Sequence, residues 1–215
     1  DPSPLITLVG TAGLAWILRE TVSWQWVLMA AVLISAGSAW LFGMVAPQLL
    51  DQWVEWYRKL VEEDLQSQIT LEEARHALLG FFAMGQAWVM LGLLVLARWW
   101  QSHLFNPGGL RSEFHRLRLS PGVAAGLVAL MVACALVQIP SLSRLLPVLT
   151  VPLALVALGL VHWAIDYNKR STPWVVGFYV LLVPLFQLVY PLLVAVALMD
   201  SWFDIRKRFE THEEE

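Results

Sequence analysis

Residues 145–165 read LLPVLTVPLALVALGLVHWAI, a stretch without a single Asp, Glu, Lys or Arg. A helix needs about 20 consecutive apolar residues to cross the ~30 Å hydrocarbon core of a bilayer. Only helices and closed barrels satisfy their own backbone there. The same signature recurs at 26–50, 80–96, 121–139 and 173–199, each run bracketed by charges, tryptophans or prolines. A shorter run at 5–18 contains Gly10 and Gly13 and ends at Arg19 and Glu20. The chain therefore reads as all-α, a polytopic transmembrane helical bundle with about six spans plus one amphipathic interfacial helix.

Composition agrees. Apolar residues make up 58% of the chain and charged residues 14%, against roughly 45–50% and 25% in soluble domains. The charges sit in short blocks between apolar runs. A net charge of −3 gives no reason to expect nucleic acid as a partner. The one cysteine, Cys134, lies mid-span, which leaves no disulfide framework and no thiolate metal site; it reads as a small packing residue. The chain starts at Asp1 and is expected to lack further N-terminal spans.

Residues 1–215 read as one transmembrane domain with three polar insertions. In the first, 47–69, Leu49, Trp53, Trp56, Leu60 and Val61 recur at helical spacing among Asp51, Glu55, Arg58 and Lys59. That is an amphipathic helix lying on the membrane surface or packing on a neighbouring span. Thr70-Leu-Glu-Glu73 is a capping box that starts the next helix. The second insertion is the basic loop 101–120, with a turn signal in Asn106-Pro-Gly-Gly109. The third is the charged tail 200–215. Ser120-Pro121 and Thr172-Pro173 mark helix starts, Pro140 and Pro147 bracket a tight connection, and Pro184 and Pro191 should kink the last span. Six crossings with both ends in the cytoplasm of a bacterial inner membrane is the expected topology. It sets the basic loop and the basic tail on opposite faces, against the positive-inside tendency; the alternative is that one apolar run fails to cross. No internal repeat suggests an inverted-repeat transporter.

Ionisable and amide groups inside spans are the candidates for function. His162 and Asp166 are four residues apart and share a helix face, so Asp166 could orient the imidazole. The alternative is a pair that merely stabilises a helix end. Gln86, Gln138, Gln187, Tyr179 and Tyr190 must each find a hydrogen-bond partner on another helix, in water or in a ligand. Gln86, His162, Asp166, Gln187 and Tyr190 are thus the candidate ligand-binding set. Ala31, Ser35, Ala39 and Gly43 place a small residue at every fourth position of the second span, a face for close helix approach to this chain's own helices or to a partner subunit. Asp200, Asp204, Arg206 and Arg208 end the last helix. Aspartates oppose the dipole there unless paired with those arginines or with the upstream loop, which makes the tail a candidate docking element. No nucleophile–base pair, metal-ligand spacing or haem-ligand pairing stands out, so no enzyme activity, metal or cofactor is expected.

Two stretches together carry a family likeness: Asn106-Pro-Gly-Gly-Leu-Arg-Ser-Glu-Phe-His-Arg-Leu-Arg-Leu119 and Asp200-Ser-Trp-Phe-Asp-Ile-Arg-Lys-Arg208. From the second span onward the chain resembles the YybS-like family of bacterial membrane proteins, a domain of unknown function. That family is distantly similar to the substrate-binding S components of energy-coupling-factor transporters. The resemblance implies additional N-terminal spans, a six-helix bundle with a central small-molecule site, a partner transmembrane subunit and separate ATPases. It also likens the Ala31–Gly43 ladder to the alanine-rich face on which S components dock. Two functional expectations follow. One is a substrate-binding membrane protein with a midplane cavity lined by Gln86, Gln187, Tyr190 and His162. The other is a non-catalytic accessory or assembly subunit of a larger membrane complex. The expected partners are the lipid bilayer, another membrane subunit and a small-molecule ligand.

Overall fold

The computed structural model describes residues 3–65, 69–137 and 139–211. Among these residues the chain is helical throughout, without a strand: α1 (Ser3–Thr21), α2 (Trp24–Val45), α3 (Pro47–Leu65), α4 (Leu71–Phe105), α5 (Gly109–His115), α6 (Pro121–Leu136), α7 (Pro140–Ser143), α8 (Leu146–Tyr167), α9 (Thr172–Leu182), α10 (Phe186–Phe203) and α11 (Ile205–Thr211). Four segments are long and apolar enough to cross a membrane: Trp24–Val45, Leu71–Phe105, Ser141–Tyr167 and Phe186–Phe203. Two shorter apolar helices, Pro121–Leu136 and Thr172–Leu182, accompany them. Gln138 and the tail 212–215 lie outside the described residues. The structure forms two compact units, Asp1–Leu96 with Leu127–Val151 and Ala97–Gly126 with Pro152–Glu215.

In the first unit, α1 packs antiparallel to α2 through a turn at Val22, which takes a left-handed backbone with φ of 50°. Thr7 of α1 donates to Gln86 of α4 at 2.8 Å, so one buried-depth amide is satisfied by a neighbouring helix. The small residues of α2 turn inward: Ala31, Ser35 and Ala39 are buried, in line with Leu28 and Phe42. The amphipathic α3 lays Leu50 and Val54 into a cluster with Phe42, Ala74 and Leu79. Phe42 stacks on Trp53 at 5.3 Å and on Phe82 at 4.5 Å. Asp51 of α3 pairs with Arg75 of α4 at 3.2 Å. The opposite face of α3 leaves Trp56 65% exposed. The capping box forms as the sequence reads: Glu73 accepts from the Thr70 N–H at 2.8 Å, and Thr70 Oγ1 accepts from the Glu73 N–H at 3.2 Å.

In the second unit the last apolar run departs from expectation. Read as one kinked span over 173–199, it is two helices separated by a turn at 183–185. Pro184 supplies no N–H to the Val180 carbonyl, so the ladder is interrupted there, with one more helical bond from the Leu185 N–H to the Leu181 carbonyl at 3.2 Å. Pro191, by contrast, is accommodated inside α10. Both ends of the pair lie at one end of the unit. Four residues separate the end of α8 from the start of α9, which runs back alongside it, with Tyr179 meeting His162 at 3.0 Å. α10 ends against the connection that leads into α6, where Arg118 reaches Asp200, Ser201 and Asp204. Beyond it, the Tyr167 hydroxyl at the end of α8 donates to the Phe209 carbonyl at 3.3 Å. The segment 172–203 is thus a helical hairpin that enters and leaves on the same side.

Candidate functional site

The densest polar constellation gathers at that end, where the 106–120 connection meets the ends of α8 and α10. It is built from the chain upward. Gly108 takes φ of 85°, a left-handed conformation that only glycine adopts without cost, and lets the Gly109 N–H close onto the Asn106 carbonyl at 2.9 Å. Ser102 Oγ locks the turn, donating to the Asn106 carbonyl at 2.8 Å and accepting from the Leu110 N–H at 3.1 Å. Glu113 of α5 then pairs with Arg98 of α4, folding the short helix back. A shallow cleft remains there, lined by Arg98, Ser102, Asn106, Leu110 and Glu113 among others.

From α5, Arg111 pairs with Asp166 of α8, and His115 Nδ1 lies 3.7 Å from the same carboxylate. Phe114 sets its ring edge-on to His162 at 5.8 Å. Its carbonyl approaches α8 so closely that a Cβ built on Gly159 would lie 2.6 Å from it. Burial holds the His115 imidazole below its ordinary pKa of 6.5, and the nearby Arg111, His162 and Arg206 push it the same way.

Two arginines then join the connection to the tail. Arg118 acts as a three-pronged C-cap for α10. Its Nε donates to the Asp200 carbonyl at 3.0 Å, one terminal nitrogen to Asp204 at 2.6 Å and the other to the Ser201 carbonyl at 3.2 Å. Both carbonyls belong to the last turn of α10, where that of Asp200 also accepts from the Asp204 N–H at 3.1 Å. Arg206, almost fully buried, donates to the carbonyls of His115 and of Leu117, the latter at 2.9 Å. It lies 3.6 Å from the carboxylate of Asp200, whose side chain is wholly buried. The other Asp200 oxygen accepts from the Ile205 N–H at 3.1 Å, across the left-handed Asp204 with φ of 48°. The 106–119 and 200–208 stretches are therefore in direct contact.

This arrangement corrects several expectations. Asp166 does not orient His162: its carboxylate is taken by Arg111 and His115, while His162 Nε2 meets Tyr179. Helical spacing put the two on one face, but α5 and α9 divide them. Gln86 belongs to the first unit and bonds to Thr7. In the second unit, Tyr190 is half-buried with its ring 4.9 Å from that of Phe186, and Gln187 is exposed. The expected docking face on Ala31, Ser35 and Ala39 is buried within this chain, with Gly43 half-buried against Leu79. Asp200, Asp204 and Arg206 of the tail are likewise engaged internally. Arg208 is exposed, its Nε donating to the Phe203 carbonyl at 2.9 Å. Arg98 was visible in the sequence only as the end of a span, and Arg111, Glu113 and Arg118 only as loop charges, since their partners lie 15 to 86 residues away. Among the described residues, no three of His, Cys, Asp and Glu gather as a metal ion would require. No protein-family model matches the chain, and neither a curated protein nor a solved structure matches it.

Proposed function

We propose that the chain is a non-catalytic, multi-pass subunit of a larger assembly in the bacterial inner membrane. One observation carries this reading. Polar side chains on apolar helices join helix to helix, Thr7 with Gln86 and His162 with Tyr179, as structural glue does. In this reading α1, α2, α4, α6 and α8 make five crossings, and the α9–α10 hairpin dips in without crossing. α3 rests at the interface with Trp56 outward.

The hairpin also resolves the charge pattern. It puts the 98–118 region, Lys169, Arg170 and 206–208 at one end, and together they hold nine of the 14 Lys and Arg residues. Positive-inside places that end in the cytoplasm. The acidic α3, at the other end of α4, then faces outward.

A second reading, a substrate-binding component resembling the S components, is favoured by the exposed Gln187 amide beside the helix break. Isolation of the full-length protein from its native membrane under mild detergent, with mass spectrometry of proteins and small molecules, distinguishes the two. Stoichiometric co-purification with a membrane complex and no metabolite supports the subunit. A bound metabolite with a transporter subunit and ATPases overturns it in favour of the second reading.

A further inference from the structure

Ion pairing inside the second unit leaves cations over. Glu113 faces Arg98, Asp166 faces Arg111, Asp204 faces Arg118 and Asp200 faces Arg206. Arg116, Lys169, Arg170, Lys207 and Arg208 lie at the same end of the unit and are all exposed. Among the described side chains, positive charge is therefore in excess on this surface. The turn between α8 and α9 presents two of these cations in a conformation that glycine would hold more cheaply. Lys169 takes a left-handed backbone with φ of 51°. Its N–H donates to the Asp166 carbonyl at 2.8 Å, and the Arg170 N–H to the Ile165 carbonyl at 3.0 Å. These are the two bonds that close a helix over a left-handed residue, a place where glycine is the usual occupant. A lysine there carries backbone strain that glycine would not, so its side chain answers to something other than the fold. The neighbouring Arg170 guanidinium lies 5.1 Å over the ring of Trp174, and that of Arg208 lies 5.7 Å over Phe203. Both rings are exposed.

We infer that this surface, centred on Lys169 and Arg170, binds the anionic phospholipid headgroups of the surrounding bilayer. Depth selects the occupant. Lys169 lies two residues past the end of α8, and Arg170 two residues before the start of α9. A turn that joins two apolar helices meets the bilayer at the level of its phosphates. Long cationic side chains reach toward that level, and aromatic rings settle just beneath it. The pairing of Arg170 with Trp174 and of Arg208 with Phe203 has this order. Charge then selects the lipid. A zwitterionic headgroup offsets its phosphate with an ammonium group, whereas an anionic one does not, and a cluster of Lys and Arg discriminates between them. The planar fork of Arg170 suits two phosphate oxygens at once, and the ammonium of Lys169 adds a point charge.

This inference rests on the reading that this end of the unit lies at a membrane surface, and the test separates the two. Cys134→Ala removes the native thiol from the full chain, and Ser171→Cys carries a fluorophore beside Arg170. Ser171 is exposed and its side chain makes no cap to α9. The labelled protein is placed in phosphatidylcholine vesicles doped with phosphatidylglycerol or phosphatidylcholine bearing a nitroxide just below the headgroup. The anionic lipid should quench at a mole fraction roughly twentyfold lower than the zwitterionic one, with about fivefold from each of Lys169 and Arg170. Salt at about 1 M should shrink the difference. Lys169→Gln and Arg170→Gln should each remove their share, and Arg170→Lys should keep most of it. Lys169→Gly tells this role from a structural one: the unfolding midpoint should rise while the preference falls about fivefold. The inference falls if the two lipids quench alike, or if Lys169→Gln with Arg170→Gln keeps the preference. It falls equally if the preference emerges only on truncation after Thr211, which would make the acidic Glu213, Glu214 and Glu215 the occupant. Capture of a protein in place of lipid by a photo-crosslinker at position 171 in native membranes would overturn it too. Quenching by neither lipid would instead remove this end of the unit from the membrane surface.

Discussion

Arg206→Ala should destabilise the protein by about 3–5 kcal/mol, the cost of breaking a buried ion pair from one side. The structure supplies the terms. Arg206 and Asp200 are 9% and 0% exposed at the side chain, so solvent screens the pair little. Arg206 also donates to the Leu117 and His115 carbonyls, bonds worth about 1.5–3 kcal/mol each when the donor is charged. These terms overlap, because the same desolvated guanidinium appears in all of them, so they do not add. Asp200 keeps one bond, from the Ile205 N–H, which limits the loss. A paired control removes both charges: Asp200→Asn with Arg206→Leu should cost clearly less than Arg206→Ala alone, since no bare carboxylate is left behind. Stability would be read in bicelles by steric trapping or by denaturant titration of tryptophan fluorescence. Against a typical total of 5–15 kcal/mol, a loss of this size is easily resolved. A loss under about 1 kcal/mol, or a double variant no more stable than the single one, would refute the claim that this pair is desolvated and holds the tail to the 106–120 connection.

Further outcomes follow from other contacts. Gly159→Ala should cost about 1–3 kcal/mol in the same unfolding assay, because the new methyl meets the Phe114 backbone carbonyl, which cannot swing aside as a side chain could; an unchanged midpoint would mean α5 does not seat on α8. The His115 imidazole has its folded pKa below the unfolded value of 6.5, so the unfolded chain takes up the proton first. Stability should be full above about pH 6.5 and decline as pH falls below it, and His115→Asn should flatten that slope between pH 7 and 5. In a double-mutant cycle, Thr7→Val and Gln86→Leu should couple by about 0.6 kcal/mol, the average for a transmembrane hydrogen bond; independent effects would remove the evidence that the amide serves as glue. In oriented vesicles, impermeant maleimide should label Lys169→Cys and Lys207→Cys from the cytoplasmic face and Lys59→Cys from the other; labelling of 169 and 207 from opposite faces would make α9–α10 a crossing.

Much of the molecule is legible in one dimension because its causes are local. Long uncharged runs reveal the spans. Helical recurrence around Trp53 and Trp56 reveals α3, and Thr70 and Glu73 reveal a helix start, each through residues within a few turns of one another; Pro184 reads only as a kink, where the structure has a break between helices. What Pro184 does next is not local. A proline ends the hydrogen-bond ladder but does not say whether the chain goes on or turns back. Direction is decided by two contacts that span more than 80 positions: Arg118 grips the end of α10, and Arg206 just beyond that end grips the Leu117 carbonyl. In the same way, the spacing of His162 and Asp166 shows that they share a face, but only the packing of α5 and α9 gives each a different partner. The sequence by itself determined the apolar, helical character of the chain and most helix starts, since hydrophobic period and backbone chemistry act over single turns. The tertiary structure alone decided which charges meet, that the small residues of α2 face inward, and that the last apolar run is a hairpin, because those outcomes depend on desolvated contacts between segments that no spacing rule connects.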